Sequence, residues 1–374
     1  MIDFCIFFVT SKCNSDCKFC FYKDKLNKTD DLSLEEIKAI SSKIGNFSTL
    51  LFSGGEPFLR KDLCEIIDLF VEQNRVKNVS IPTNSIDTEI VISTTKKILN
   101  NNKNNNIKFS INPSIDALEN LSTILRGRKD AFSSAIKTIE ELGRLKKDYE
   151  NLSIVINTVV SNENLSDLED LIILIDKYNF VDFHNIEVIR PKIYSEYSKF
   201  EINLSLLKKY HFLTANLYKN RLIKKIKNSK NIIQKLILTL ALIHKIGRLR
   251  YTQVIKEQFL SRSKKLFTCP AAKNICVIES NGDVKPCELR EQSLNLRDYN
   301  YDLKAILSSN KFEEIRREIY DVGCSCTHIC FIDEYIGSGM RFIKFNVIFL
   351  LIYHFFNFIF LNSREDSQNS TSIY

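Results

Sequence analysis

Cys13-Asn14-Ser15-Asp16-Cys17-Lys18-Phe19-Cys20 places three thiols within eight residues, separated by three and then two residues. An odd number of cysteines cannot close as disulfides without leaving one over. The spacing suits an iron–sulfur cluster held by a loop, with three irons ligated by cysteine and the fourth left open for a ligand. A structural zinc site wants four protein ligands, and no fourth Cys or His lies nearby in sequence. Zinc and redox thiols remain the alternatives at this point.

Working outward, residues 3–9 read as a strand that runs straight into this loop. The apolar start is short and lacks a basic leader, so it reads as strand and not as a signal peptide. Ser33-Leu34-Glu35-Glu36 opens a helix with a capping-box pattern, extending to about Ile44. Further strands are expected over residues 49–53, 79–82, 107–112, 153–160 and 185–190. Helices are expected over 62–72, 88–99, 131–145 and 165–178. Residues 100–106, six Asn and one Lys, read as a tolerated polar insertion. Six strand–helix repeats imply an α/β fold, a parallel sheet with right-handed crossovers curled into a partial (β/α)6 TIM-like barrel. Ligands in such sheets sit at the C-terminal ends of the strands.

The cysteine loop, with an aromatic before its last cysteine, resembles the signature of the radical S-adenosylmethionine (SAM) superfamily. Ser53-Gly54-Gly55-Glu56-Pro57 follows the second strand, where that family carries its Gly-Gly-Glu stretch. The resemblance implies that this backbone and the Glu56 carboxylate hold the amino group of SAM, since glycines allow close approach and a carboxylate complements an ammonium. It extends to Thr83-Asn84 after strand three and to Asn112-Pro113-Ser114-Ile115-Asp116 with Leu125-Arg126-Gly127 after strand four. Asn157 on strand five and Arg190-Pro191 after strand six match too. By the same resemblance Gly54, Gly55, Glu56, Pro57, Thr83, Asn84, Ser114, Asp116, Arg126, Asn157 and Arg190 reach SAM or line the cavity. Two positions depart from the pattern: Ser85 and Ala117 stand where relatives carry glycine.

Six more cysteines follow: Cys269, Cys276, Cys287, Cys324, Cys326 and Cys330. Gly282-Asp283-Val284-Lys285-Pro286-Cys287 reads as a hairpin turn into a short strand. The group resembles the small C-terminal extension called SPASM, or its shorter form called twitch, which binds auxiliary iron–sulfur clusters. Two complete four-iron clusters would need eight thiolates, so the count implies one auxiliary 4Fe-4S cluster, on Cys269, Cys287 and two of the last three. Cys276 could replace one of these. Zinc is the structural alternative, with His328 as a conceivable ligand. Cys5 and Cys64 read as core residues.

The chain has 374 residues, eleven cysteines and a net charge of +8, enough for several modules and, with no secretory signal, a reducing cytoplasmic setting. The charge is uneven. Between Lys208 and Lys265 stand sixteen Lys/Arg and a single acid, Glu257, leaving the remainder mildly acidic. A solvated face is the plain reading of such a run. The apolar stretch 231–243 lies within it, and residues 342–361 hold sixteen apolar residues in twenty, a marginal membrane span. Together they suggest contact with the inner face of a membrane. Nucleic acid is set aside for want of an aromatic-interleaved platform. The expected organisation is a barrel over 1–200, a basic helical insert over 201–266, a cysteine-rich domain over 267–338 and an apolar helix with a polar tail over 339–374.

The resemblance implies an enzyme that cleaves SAM reductively, using a low-potential donor of flavodoxin or ferredoxin type. The 5'-deoxyadenosyl radical then abstracts hydrogen from a peptide, small-molecule or lipid-linked substrate. The motif begins at residue 13, so no fused peptide-recognition domain is expected before it, which lowers the peptide reading without excluding it because the recognition part can be a separate protein. An electron-transferring scaffold and an RNA-modifying enzyme are the competing classes. The Gly-Gly-Glu stretch counts against the first, which has no use for a SAM pocket.

Overall fold

A computed structural model describes residues 2–339 apart from residues 29, 191–200, 230 and 263–268. Pro191, the apolar stretch 342–361 and the polar tail lie outside the described residues.

Six strands, β1 (Phe4–Thr10), β2 (Thr49–Gly54), β3 (Asn78–Thr83), β4 (Lys108–Pro113), β5 (Leu152–Val160) and β6 (Phe183–Val188), lie side by side in chain order and pair in parallel. The helices between them are α1 (Leu34–Ile44), α2 (Leu63–Asn74), α3 (Thr88–Asn101), α4 (Glu119–Arg126), α5 (Ala131–Leu145) and α6 (Leu168–Asp176). The sheet is not closed into a barrel, as a partial TIM-like fold requires. Along β5, buried and half-buried residues alternate, so one face packs under helices while the other lines the concave side. β1 is buried on both faces, which its near-continuous apolar run reflects. Phe7 anchors the core beneath it, with Phe52 and Phe70 at ring-centroid distances of 6.3 and 6.1 Å.

After β6 the chain makes a long helical hairpin, α7 (Leu204–Asn228) and α8 (Ile232–Leu260). It then returns to the sheet. β7 (Ile275–Ile278) pairs in parallel with β1, and β8 (Asp283–Lys285) and β9 (Leu294–Asn295) continue antiparallel. The cysteine-rich region is thus joined to the barrel through one nine-stranded sheet. Gly282, at φ +90°, makes the turn between β7 and β8 that the sequence suggests. Three helices follow: α9 (Leu303–Leu307), α10 (Asn310–Asp321) and α11 (Ile329–Gly339).

The two halves are also pinned at α1. Ser33 and Glu36 complete the capping box, and Glu36 additionally accepts from Arg297 Nε (2.7 Å) and the Tyr301 hydroxyl (3.1 Å). The Arg297 guanidinium holds the Glu36 carboxyl down to about 2.

Candidate functional site

The cysteine loop leaves the C-terminal end of β1 and is gripped from three sides. On the β2 side, Gly55 N donates to Thr10 O (2.8 Å) and Glu56 N to Lys12 O (2.7 Å). A Cβ on Gly55 would lie 2.1 Å from Lys12 O, and one on Gly54, at φ +106°, 2.4 Å from Thr10 O. Only glycine lets the two loops touch.

On the β3 side, Asn84 joins the Glu56 stretch to the cysteines. Its backbone N–H donates to Glu56 Oε2 (2.6 Å). Its amide nitrogen donates to Asn14 Oδ1 (2.7 Å) and lies 3.9 Å from Cys13 Sγ. Glu56 Oε1 accepts from Phe58 N at 3.2 Å. Both carboxylate oxygens therefore brace backbone, and Pro57 follows as the first residue of a short 3-10 turn. Burial pushes the Glu56 carboxyl up to about 7, against the lowering influence of these N–H donors. Thr83 Oγ1 accepts from Ser85 N (3.0 Å), and Ser85 sits at φ +63°. That conformation suits glycine better than a residue with a side chain, in line with the glycine the resemblance implies there. Ala117 has no such need, since its φ is not positive.

On the β4 side, Ser15 Oγ donates to Arg126 O (2.9 Å) and lies 3.3 Å from Cys17 Sγ. Lys18 N donates to Leu125 O (2.8 Å). The buried Arg126 guanidinium pairs with buried Asp116, faces the Phe19 ring, and lies close enough to Cys17 to feel its charge. Asp116 in turn accepts from Val159 N at 2.7 Å. Ser114, just past the end of β4, bridges Asn157 within β5, and Asn157 Oδ1 accepts from Asn185 Nδ2 (3.2 Å). Asn14, Ser15 and Asn27, whose Oδ1 accepts from Cys13 N (3.0 Å), are loop-shaping residues that sequence reasoning missed. The only signal available was the polar run Asn14-Ser15-Asp16 inside the motif.

Arg190 follows the C-terminal end of β6. Its guanidinium pairs with Glu288 and lies 4.2 Å from the centroid of Phe21, the residue after Cys20. The same Glu288 oxygen meets His328 Nε2 at 2.6 Å. Arg190 therefore ties β6, the cysteine loop and the C-terminal cysteines together.

Among those cysteines, Cys269 hydrogen-bonds Cys324 and feels Cys326, while Cys287 feels Cys324 and Cys326 feels both Cys287 and Cys324. These four thiols fall into one group, with Cys269, Cys324 and Cys326 buried and Cys287 half-buried. Burial pushes Cys287 up to about 12, and Cys326 is raised further for the same reason. Four thiols that raise one another's pKa, with Arg290 hydrogen-bonded to Cys324, fit a cationic centre that would displace their protons. Cys276 is not in this group: it lies opposite Cys5 in the β1–β7 register and hydrogen-bonds it, because an interior strand position points into the core. The neighbours that perturb Cys330 are Glu288, Glu187, Arg190 and Asp333, not thiols. Burial pushes Cys20 up to about 11, with Cys17 and Cys13 adding to the rise, and burial likewise raises Cys13, with Glu56 and Cys17 adding to it. Among the described residues no group of three or more His, Cys, Asp or Glu stands ready to hold a single metal ion.

Residues 7–175 match the radical SAM superfamily model, and residues 269–330 match SPASM, an iron–sulfur cluster-binding domain. Residues 7–175 thus form a radical SAM domain and residues 269–330 a SPASM domain. These domains imply 4Fe-4S clusters and SAM as cofactors. An uncharacterized protein of Methanocaldococcus jannaschii is 32% identical over 186 residues, covering 49% of this chain and 62% of that one. The Fe-coproporphyrin III synthase of Methanosarcina barkeri is 26% identical over 45% of this chain and 40% of its own length. The sporulation killing factor maturation protein SkfB of Bacillus subtilis is 24% identical over 45% and 38%. The match thus spans less than two thirds of each relative. Among solved structures, anSMEcpe with bound AdoMet superposes with a TM-score of 0.58 at 19% identity, covering 85% of this chain and 83% of that one. SuiB of Streptococcus suis bound to precursor peptide SuiA gives 0.53 at 15% identity, over 84% and 67%. At these identities the structures establish the shared fold.

Proposed function

We propose that this protein is a radical SAM enzyme that abstracts hydrogen from a carbon of a peptide substrate. The observation that carries the reading is the direct seating of Gly54, Gly55 and Asn84 on the Cys13–Cys20 loop. An electron-transferring scaffold would gain nothing from a glycine-lined contact built around the open end of such a loop. When bound, the cluster and SAM supply one-electron cleavage of the sulfonium and a 5'-deoxyadenosyl radical. Cys13, Cys17 and Cys20 would hold the cluster. The Gly54–Pro57 stretch, Thr83, Asn84, Ser114 and Asn157 would line the place for SAM. Arg126, neutralised by Asp116, backs the loop and keeps its charge close to Cys17. An auxiliary 4Fe-4S cluster would sit on Cys269, Cys287, Cys324 and Cys326. Its reductant would be a flavodoxin- or ferredoxin-type protein.

A peptide is favoured because a SPASM domain accompanies the barrel here and because SkfB, a maturation protein, and SuiB, solved with a precursor peptide, are similar. A lipid-linked substrate is the second reading, favoured by the exposed apolar hairpin described below. Among the described residues, no helix is long and apolar enough to cross a membrane.

The test is anaerobic reconstitution with SAM and dithionite, quantifying 5'-deoxyadenosine with and without the peptide and lipid fractions of a cell extract. Cys13→Ala/Cys17→Ala/Cys20→Ala is the control. Turnover stimulated by the peptide fraction and absent from the triple variant supports the reading. Full iron content with no deoxyadenosine under any condition would refute it.

A further inference from the structure

We propose that the tip of the α7–α8 hairpin docks on an anionic lipid surface. The base of the hairpin is well anchored. Arg221 Nε donates to Asp176 Oδ1 (2.7 Å), Arg248 pairs with Asp333 (3.3 Å), and buried Lys256 pairs with Glu187 (2.7 Å). The far end is different. Ile232, Ile233, Ile237 and Leu240 are 80, 66, 60 and 59% exposed, whereas Leu242 and Ile246 further along the same helix are buried. These exposed residues fall within the first nine positions of α8, a length of about 13 Å. Ile233, Ile237 and Leu240 follow helical spacing, so they form one stripe.

Beside this stripe stand exposed Lys224, Lys225, Lys227 and Lys235. From Ile202 to Lys256 the chain has no Asp or Glu at all. That combination selects the occupant. A second copy of the same tip would bring at least eight lysines together with no acid to neutralise them. Nucleic acid would satisfy the lysines but leave the aliphatic stripe in water, and from Lys219 to Arg250 there is no Phe, Tyr or Trp on which a base could stack. An anionic bilayer takes both at once: the isoleucines enter the headgroup–acyl boundary while the lysines stay among the phosphates. The asparagine cap helps, since Asn231 Oδ1 accepts from Ile233 N (2.8 Å) and keeps the helix intact up to its exposed end.

The chain contains no tryptophan, which makes a clean reporter possible. Full-length Ile237→Trp is mixed with vesicles of phosphatidylcholine, with or without about 30% phosphatidylglycerol, and with brominated-chain lipid as quencher. The expected result is a blue shift and quenching of the indole on anionic vesicles only. Affinity should weaken at least about tenfold as salt rises from about 0.05 to about 0.5 M. Adding Ile233→Asp and Leu240→Asp, both at exposed positions, should abolish the signal while far-ultraviolet circular dichroism stays unchanged. Failure of the protein to bind anionic vesicles would overturn the proposal. So would binding with no change in the indole, which would put the contact elsewhere in the chain, or equal binding to neutral vesicles. The readout is binding and not turnover, so its failure is distinguishable from failure of the chemistry proposed above.

Discussion

His328 Nε2 lies 2.6 Å from Glu288 Oε2, and the direction of that bond is fixed by a second one. Cys330 N donates to His328 Nδ1 (3.2 Å), so the proton of the neutral ring is on Nε2 and is given to Glu288. Burial lowers His328, and the cationic Arg190 with the His328 bond holds the Glu288 carboxyl down to about 2 despite its burial. The pair is therefore neutral imidazole against carboxylate, with the charge balanced by Arg190.

Arg190→Ala leaves that carboxylate buried without its countercharge. The expected cost is about 3 kcal/mol, concentrated where the C-terminal cysteines meet the barrel. Hydrogen exchange should speed up across residues 324–330 and not across α5. Uniform acceleration, or none, would show that the contact does not join the two parts.

Cys276→Ala should leave the iron content of the reconstituted protein unchanged, because Cys276 faces Cys5 in the core. Cys324→Ala should lose about four irons per chain, the auxiliary cluster. Iron analysis with electron paramagnetic resonance of the reduced proteins decides this. Equal loss in both variants would place Cys276 among the ligands.

The Glu56 carboxyl, raised to about 7, makes a signed pH prediction. In the unfolded chain a glutamate ionises near 4.3. Between these values the folded chain holds a proton that the unfolded chain has lost. Stability should therefore fall as pH rises from about 4.3 to about 7, by up to about 4 kcal/mol, and then level off. Glu56→Gln should flatten that slope. A cationic ligand beside Glu56 favours the ionised form, so SAM affinity should increase as pH rises through 7. Equal dissociation constants at pH 6 and 8 would contradict this.

Ser85 is buried at φ +63°, and its hydroxyl has no hydrogen-bond partner. Ser85→Gly removes both costs and should stabilise the protein by about 1 kcal/mol, measured by chemical denaturation. Gly55→Ala should do the reverse and also lose the cluster, since its Cβ would displace Lys12 from the loop.

Much of this was legible along the chain because it depends on local period and local spacing. Each of the six parallel strands carries its own pattern. α5 falls on the expected residues 131–145, and Ser33 with Glu36 forms the box its spacing promised. The three motif cysteines, the Gly-Gly-Glu stretch and Thr83-Asn84 could be assigned to strand ends because loops after parallel strands all emerge on one side. The tertiary structure alone decided the rest. Nothing in the spacing of residues 269–330 says that β7 extends the open sheet beside β1, which draws Cys276 away from the other thiols. Along the chain Arg190 reads as a strand-end arginine that reaches SAM or lines the cavity, and only folding brings Glu288, ninety-eight residues later, within its reach. The basic run looked like a solvated face or a linker, and only packing divides α8 into an anchored half and a bare one. Pairings across such distances depend on the closure of the whole chain, which a periodicity read over ten residues does not contain.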